Sequence, residues 1–542
     1  MMLRIRWLCL RLLGALMVLA FASLWYQIQG LSGPTGVIPA EQYLEGLRAG
    51  LTEGGSFMWW RAPTLGWLNA GETALDVMCA VGAVASGLLL FNLLPQISLM
   101  IAWVLYASLI NLSGVFMSYQ WDVLLAEVAI LSLLWAPAGL RPGLGGPIPK
   151  ITPWIFRVLL FKLVFSSGLV KLVNLDEAWL GLSAAQLHYW TQPLPHRVAW
   201  YAHQLPTWFH QASVAVTLII ELVVPLLIFT PRKIRVWAFF PLAGLQIIFA
   251  ATGNYGFFNL LVFVLCLTVL DDDALARVVP SKLRGKWFAP PPEPEGPPGK
   301  LTQGMTYAAL AISALFALAY VPHAVVKILE ASRVEMPAVV TQVDEYVRPW
   351  RVASGPYGLF ARVVPERMEI EIQGSADGRV WKTYPFKYKP GDVDTPPAFT
   401  AFHMPRLDWH MWTPGLGANC AADEKAARTP WWFEGLMRGL VTNDTHVVGL
   451  LASNPFAGAP PKMIRARLWR YTFSDPEAGG GAKVEKGKWW TRVEAGAWCG
   501  PRTRADLVRG ADVARDTPSG RPGARDPSQG APALSEGISR AR

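Results

Sequence analysis

Charge is scarce in this chain. Asp, Glu, Lys and Arg make up 16% of its 542 residues, against roughly a quarter in soluble domains. With 52% hydrophobic side chains and a mean hydropathy of +0.28, an ordinary soluble fold is excluded. Cysteine is equally sparse. None of the five forms a CxxC or a Cys/His pattern with zinc spacing, which argues against redox and structural zinc sites. Cys9, Cys79 and Cys266 lie in apolar runs and read as inert packing residues. The GxSxG nucleophile elbow is missing as well. Trp179-Leu-Gly-Leu-Ser183 and the other Gly/Ser pairs do not supply it. The net charge of +10 comes without a nucleic-acid recognition motif. Much of it sits beside apolar runs, where basic residues orient membrane spans.

Long apolar runs are what the chain has instead. Arg4, Arg6 and Arg11 open the first, which ends near Tyr26. No small-x-small cleavage site follows, so the run reads as a spanning helix rather than a signal peptide. Further runs cover 75–94, 97–115, 124–137, 154–173, 212–229, 236–252, 257–271 and 306–321. Together they predict a polytopic α-helical membrane bundle of about nine spans. The basic positions Arg141/Lys150, Arg232/Lys233/Arg235 and Arg277–Lys286 then fall on the side of Arg4 and Arg6. By the positive-inside rule that side is cytoplasmic, and the 174–211 loop and the C-terminal region lie outside.

The pattern changes near residue 326. Met368-Glu-Ile-Glu-Ile-Gln373 alternates as a half-buried strand does, Arg379–Lys389 and Arg465–Phe473 read as further strands, and Trp431–Val441 reads as a short amphipathic helix. The expected division is a membrane domain over 1–325, a β-rich extracytoplasmic domain, possible sandwich, over 326–500, and a disordered tail over 501–542. Pro290–Pro298 reads as an extended spacer. Cys420 and Cys499 lie in the polar region, and facing an oxidising compartment they would suit a disulfide.

The most distinctive stretch is 161–229, where two apolar runs flank a loop crowded with aromatic residues, prolines and four histidines: His188, His196, His203 and His210. Trp179, His188-Tyr-Trp-Thr-Gln-Pro-Leu-Pro195, His203, Pro206-Thr-Trp-Phe-His210 and Glu221-Leu-Val-Val-Pro225 resemble the signature segments of the lipase maturation factor family. The likeness continues in Tyr119-Gln-Trp-Asp122 with Glu127, in Gly168 and Lys171, and in Gly253-Asn-Tyr-Gly256. It runs on through Tyr357-Gly-Leu-Phe360, Arg406-Leu-Asp-Trp409 with Met411-Trp412, Asn454-Pro-Phe456, Arg470-Tyr471 and Trp489-Trp490. Two departures stand out: Trp190 sits where a charged residue is usual, and 413–429 looks inserted. The resemblance implies an endoplasmic reticulum membrane protein, or an inner-membrane one in a bacterial host. It implies a non-enzymatic factor, without metal or cofactor, that helps exported clients such as secreted lipases to fold and assemble.

Three groups of candidate residues follow. His188, Tyr189, Gln192, His203, Trp208 and His210, with Arg406, Asp408, Trp409 and Trp412, could form a client-binding surface. For the histidines the alternatives are a hydrogen-bonded brace within the loop, or metal and acid–base chemistry. For Arg406–Trp412 the alternative is an aromatic core with an internal Arg–Asp pair. Glu127, Lys162, Lys171 and Glu221 are charges inside apolar runs, either ion pairs holding the bundle or the lining of a reactive cavity. A distant resemblance of this region to the vitamin K-dependent carboxylase membrane domain leaves open a membrane enzyme using Lys162. A scaffold for another membrane protein is the third reading.

Overall fold

The computed structural model describes residues 2–53, 58–279, 300–353, 355, 357–417, 429–474 and 487–507. Six helices among them are long and apolar enough to cross a bilayer: Leu3–Trp25, Glu72–Leu90, Pro95–Leu112, Thr207–Phe229, Arg232–Thr252 and Ala311–Ala331. The expectation of about nine is not confirmed. Gln120–Ser132 has 13 residues, and Phe258–Val269 is a short apolar segment. Thr152–Val173 has 22 residues but carries Arg157, Lys162 and Lys171, all buried. Two of these segments fall short in length and the third carries buried charges that need partners inside the bundle.

The bundle has two distinct ends. At one, Arg4 meets Asp272, Arg232 meets Asp271 and Asp273, and Arg6 donates to the carbonyls of Leu144 and Gly146. The expected basic segments Arg4/Arg6 and Arg232 therefore share an end. At the other, Ser23 and Gln27 at the close of the first helix bond to His403, Met404 and Arg406. Between them, Gly168 lets two helices close up: a Cβ there would lie 2.8 Å from the Cβ of Glu221.

The C-terminal part holds one four-stranded antiparallel sheet in the order β2-β1-β3-β4. The strands are β1 Arg367–Ser375, β2 Lys382–Thr383, β3 Met463–Phe473 and β4 Trp490–Thr503. Among the described residues it is a single sheet packed with helices, not a sandwich. The strand expected over Arg379–Lys389 shrinks to two residues. Pro385 follows at once and cannot donate to the ladder. Strand β1 is central, and Arg367, Glu369 and Gln373 are buried along with Ile370 and Ile372, so the expected half-burial is wrong for its polar face. The helix Trp431–Val441 forms as expected. Phe57, the 290–298 run and the tail beyond 507 lie outside the described residues.

Candidate functional site at the bundle–sheet junction

The signature segment His188–Pro195 closes a short helix, Ala184–Thr191, and then runs extended between bundle and sheet. Pro193 and Pro195 have no N–H. The stretch is therefore rich in carbonyls that need donors from elsewhere. It finds them on three other segments. Arg367 on β1 donates to the carbonyls of Trp190 (3.0 Å), Gln192 and Pro193 (2.8 Å). Trp412 Nε1 donates to Thr191 (2.8 Å). Asn254 Nδ2 donates to Leu194 (3.2 Å) and also to Ala398 (2.8 Å), while its Oδ1 accepts from the Thr400 amide (3.0 Å). The carbonyls of residues 190 to 194 are thus all engaged by distant residues.

Side chains of the segment complete the lock. Gln192 Nε2 donates to the carbonyls of Tyr189 and Thr252, and its Oε1 accepts from the Tyr255 hydroxyl at 2.7 Å. That hydroxyl lies 2.8 Å from His188 Nε2. With the Tyr255 proton committed to Gln192, His188 is the donor in this contact. Burial, helped by the charge of Lys171, pushes His188 down to about 3, so it is neutral. Gly253 is required here, because a Cβ would sit 2.3 Å from Gln192 Oε1.

Arg406, Asp408, Trp409 and Trp412 are all buried, so the surface reading for these four is corrected. They form the core at the junction, with an internal Arg–Asp pair whose carboxylate is Asp122. Arg406 makes a two-pronged contact with Asp122, 2.7 Å on each prong, and Tyr106 donates to the same carboxylate at 2.5 Å. Asp408 instead accepts the amides of Tyr388 and Lys389. Gln192 and His210 are buried too, whereas Tyr189, His188 and His203 are half-buried. Trp208, at 67% exposure, is open.

The histidines do not converge. His188 faces Tyr255, His196 caps the Arg197–His203 helix, and His203 Nδ1 lies 3.1 Å from the Gln186 carbonyl. His203 and His210 rings are 6.4 Å apart at their centroids. Among the described residues no group of three His, Cys, Asp or Glu is placed to hold a metal ion.

The four buried charges pair off. Lys162 Nζ is 2.7 Å from Glu127 Oε1, and both are fully buried. Tyr320 and Tyr357 donate to the same carboxylate, and their rings lie 5.2 Å from Nζ. Lys171 pairs with Glu221 beneath Trp179. Cys499 is disulfide-bonded and Cys9, Cys79 and Cys266 are free. Cys420 lies outside the described residues.

Sequence reasoning missed Arg367, Asn254, Tyr255, Asp122, Tyr320 and Tyr357 as site residues. Asp122, Asn254, Tyr255 and Tyr357 stood inside quoted motifs, and a polar side chain at the mouth of an apolar run was the signal. Arg367 had none, since its strand alternates like a solvent-facing one.

The comparisons follow the same division. The lipase maturation factor transmembrane domain matches residues 4–277, and the lipase maturation factor C-terminal domain matches 353–499. Lipase maturation factor 2 of Mus musculus is 33% identical, covering 88% of this chain and 80% of its own length. The Homo sapiens protein of that name is 32% identical over 90% and 81%. Lipase maturation factor 1 of Bos taurus is 31% identical over 95% and 91%. No solved structure matches. With both domains matched over most of its length, the chain belongs to the lipase maturation factor family.

Proposed function

We propose that this chain is a membrane-bound maturation factor. It holds exported client proteins of the secreted-lipase kind while they fold or assemble, without covalent chemistry of its own. The sheet side of the bundle faces the secretory lumen, or the periplasm in a bacterial host, and the end carrying Arg4, Arg6 and Arg232 faces the cytoplasm. The observation that carries this reading is the fastening of the signature segment to the sheet through Arg367, Trp412 and Asn254. Bundle and sheet then present one continuous surface. Its rim exposes Tyr201, Leu205 and Trp208, next to Trp200, which packs against Trp489 at 5.2 Å. Large rings of this kind anchor protein contacts. Lys162 belongs to a closed, ion-paired cluster, so nothing favours the enzyme reading.

The test is co-expression with a secreted dimeric lipase in cells lacking their own maturation factor. Full-length protein should raise secreted lipase activity per mass of lipase. A truncation before Arg351 should insert in the membrane and give none. A truncated protein that still matures the lipase would remove the sheet from the mechanism. Crosslinking that recovers only a resident membrane protein, and no exported client, would favour the scaffold reading.

A further inference from the structure

Arg11 is a cation in search of a counter-charge. It lies in the first spanning helix and is 6% exposed. Its Nε and Nη2 have no hydrogen-bond partner. Among the described residues no carboxylate forms an ion pair with it, and the contact it makes is with Trp7, 5.6 Å from guanidinium to ring. A buried guanidinium left in this state is strongly unfavourable, because it has lost its hydration without gaining a partner.

The same end of the bundle carries further positive charge. Residues 4, 7 and 11 fall on one face of the helix, so Arg4 and Arg11 bracket Trp7. Arg6 and Arg157 are buried at the same end, at 3% and 5% exposure. They donate to main-chain carbonyls, Arg6 to Trp135, Leu144 and Gly146 and Arg157 to Thr268. The two nearby carboxylates are engaged. Asp272 accepts the amides of Leu3, Arg4 and Ile5, capping the helix, and lies 3.9 Å from Arg4. Asp271 accepts from Arg232 and from the Ala274 amide.

Arg11 is about two turns inside the Leu3–Trp25 helix, roughly 12 Å from its first residue, a depth from which a long guanidinium side chain can snorkel to the headgroup level, where the anion available in quantity is a lipid phosphate. Basic pockets between helices on the cytoplasmic side are where acidic headgroups bind, and a Trp beside the site suits the headgroup level. We propose that Arg11, with Trp7 and Arg4 on the same helical face, binds the phosphate of an anionic phospholipid from the leaflet at this end.

The test uses the purified full-length chain in a neutral detergent. Phosphatidylglycerol, phosphatidylcholine or inorganic phosphate is added, and thermal unfolding is followed. Phosphatidylglycerol should raise the midpoint by about 2–4 °C, as saturating ligand does for a large chain. Arg11→Leu should lose most of that rise, while Arg379→Gln, on the exposed turn before β2, should keep it. Native mass spectrometry of the unmodified chain should show a retained acidic lipid, which keeps the test open if Arg11→Leu does not fold. An equal rise with phosphatidylcholine, an Arg11→Leu protein that keeps the whole rise, or absence of retained lipid would overturn the proposal. A full rise with inorganic phosphate alone would overturn the lipid as its source.

Discussion

Replacing Lys162 by Met separates a structural role from a chemical one. The lysine and Glu127 are 2.7 Å apart and fully buried. Lys162→Met removes the cation and leaves a carboxylate in the middle of the bundle. Breaking a buried pair from one side costs about 3–5 kcal/mol. The low end applies here, since the Tyr320 and Tyr357 hydroxyls still donate to Glu127. A loss of about 3 kcal/mol is a large fraction of a membrane protein's margin, so membrane level and unfolding midpoint should both fall. The double variant Glu127→Gln/Lys162→Met removes both charges, keeps an oxygen to accept from one hydroxyl and sets an amide N–H that can donate to the other. It should recover most of the loss, because neutral replacements of a buried pair are often close to neutral in stability. Thermal unfolding in detergent, membrane abundance and lipase maturation are measured side by side. Maturation should track abundance in all variants. A Lys162→Met protein of normal abundance and midpoint that matures nothing, with no recovery in the double variant, would refute the structural reading and give the lysine a chemical role.

Trp409→Ala should destabilise by about 3–5 kcal/mol, as expected for emptying a buried aromatic site, whereas Trp208→Ala should leave the unfolding midpoint unchanged and weaken client capture. The reverse pattern would put Trp409 on the binding surface after all. A non-reduced digest should join the peptides of Cys420 and Cys499, and free thiols at both positions would rule out the bridge. Acid should loosen the junction: burial holds His410 down at about 3, below the ordinary unfolded value near 6.5. A folded value below the unfolded one means stability is complete above about pH 6.5 and declines as the pH falls towards 3. That amounts to about 2 kcal/mol for this residue at pH 5. His188 adds in the same direction. An unfolding midpoint equal at pH 7.5 and pH 5 would contradict this.

The helical bundle was legible because apolar length is a local property of the chain. Six of the expected runs are helices long and apolar enough to span. The other three, short or charge-bearing, are not confirmed as spans, and local sequence cannot say what such a segment packs against. The same limit explains the site residues. Lys162 and Glu127 could be named as buried charges, but not as partners sharing two tyrosines, because Tyr357 is 230 positions from Glu127. Arg406 was expected in an internal Arg–Asp pair, but its carboxylate could not be named, since Asp408 two residues on faces away on the helical turn. Its partner Asp122 is 284 positions distant.

The prolines of the signature segment show how far such a motif can be read. Their presence announces a stretch poor in donors, and chain physics requires its carbonyls to be satisfied somewhere. What the motif cannot announce is that the donors come from β1, from the turn after Arg406–His410 and from the loop between the Arg232–Thr252 helix and the short Phe258–Val269 segment. Arg367 is 177 residues from Trp190, and Trp412 is 221 from Thr191. The consequence is mechanical. A segment held at five successive carbonyls from both sides cannot shift unless the sheet shifts with it, so under the proposed function a load placed on the sheet by a client would be transmitted to the bundle. The motif is therefore better understood as the fastening between two domains than as the surface that touches a client.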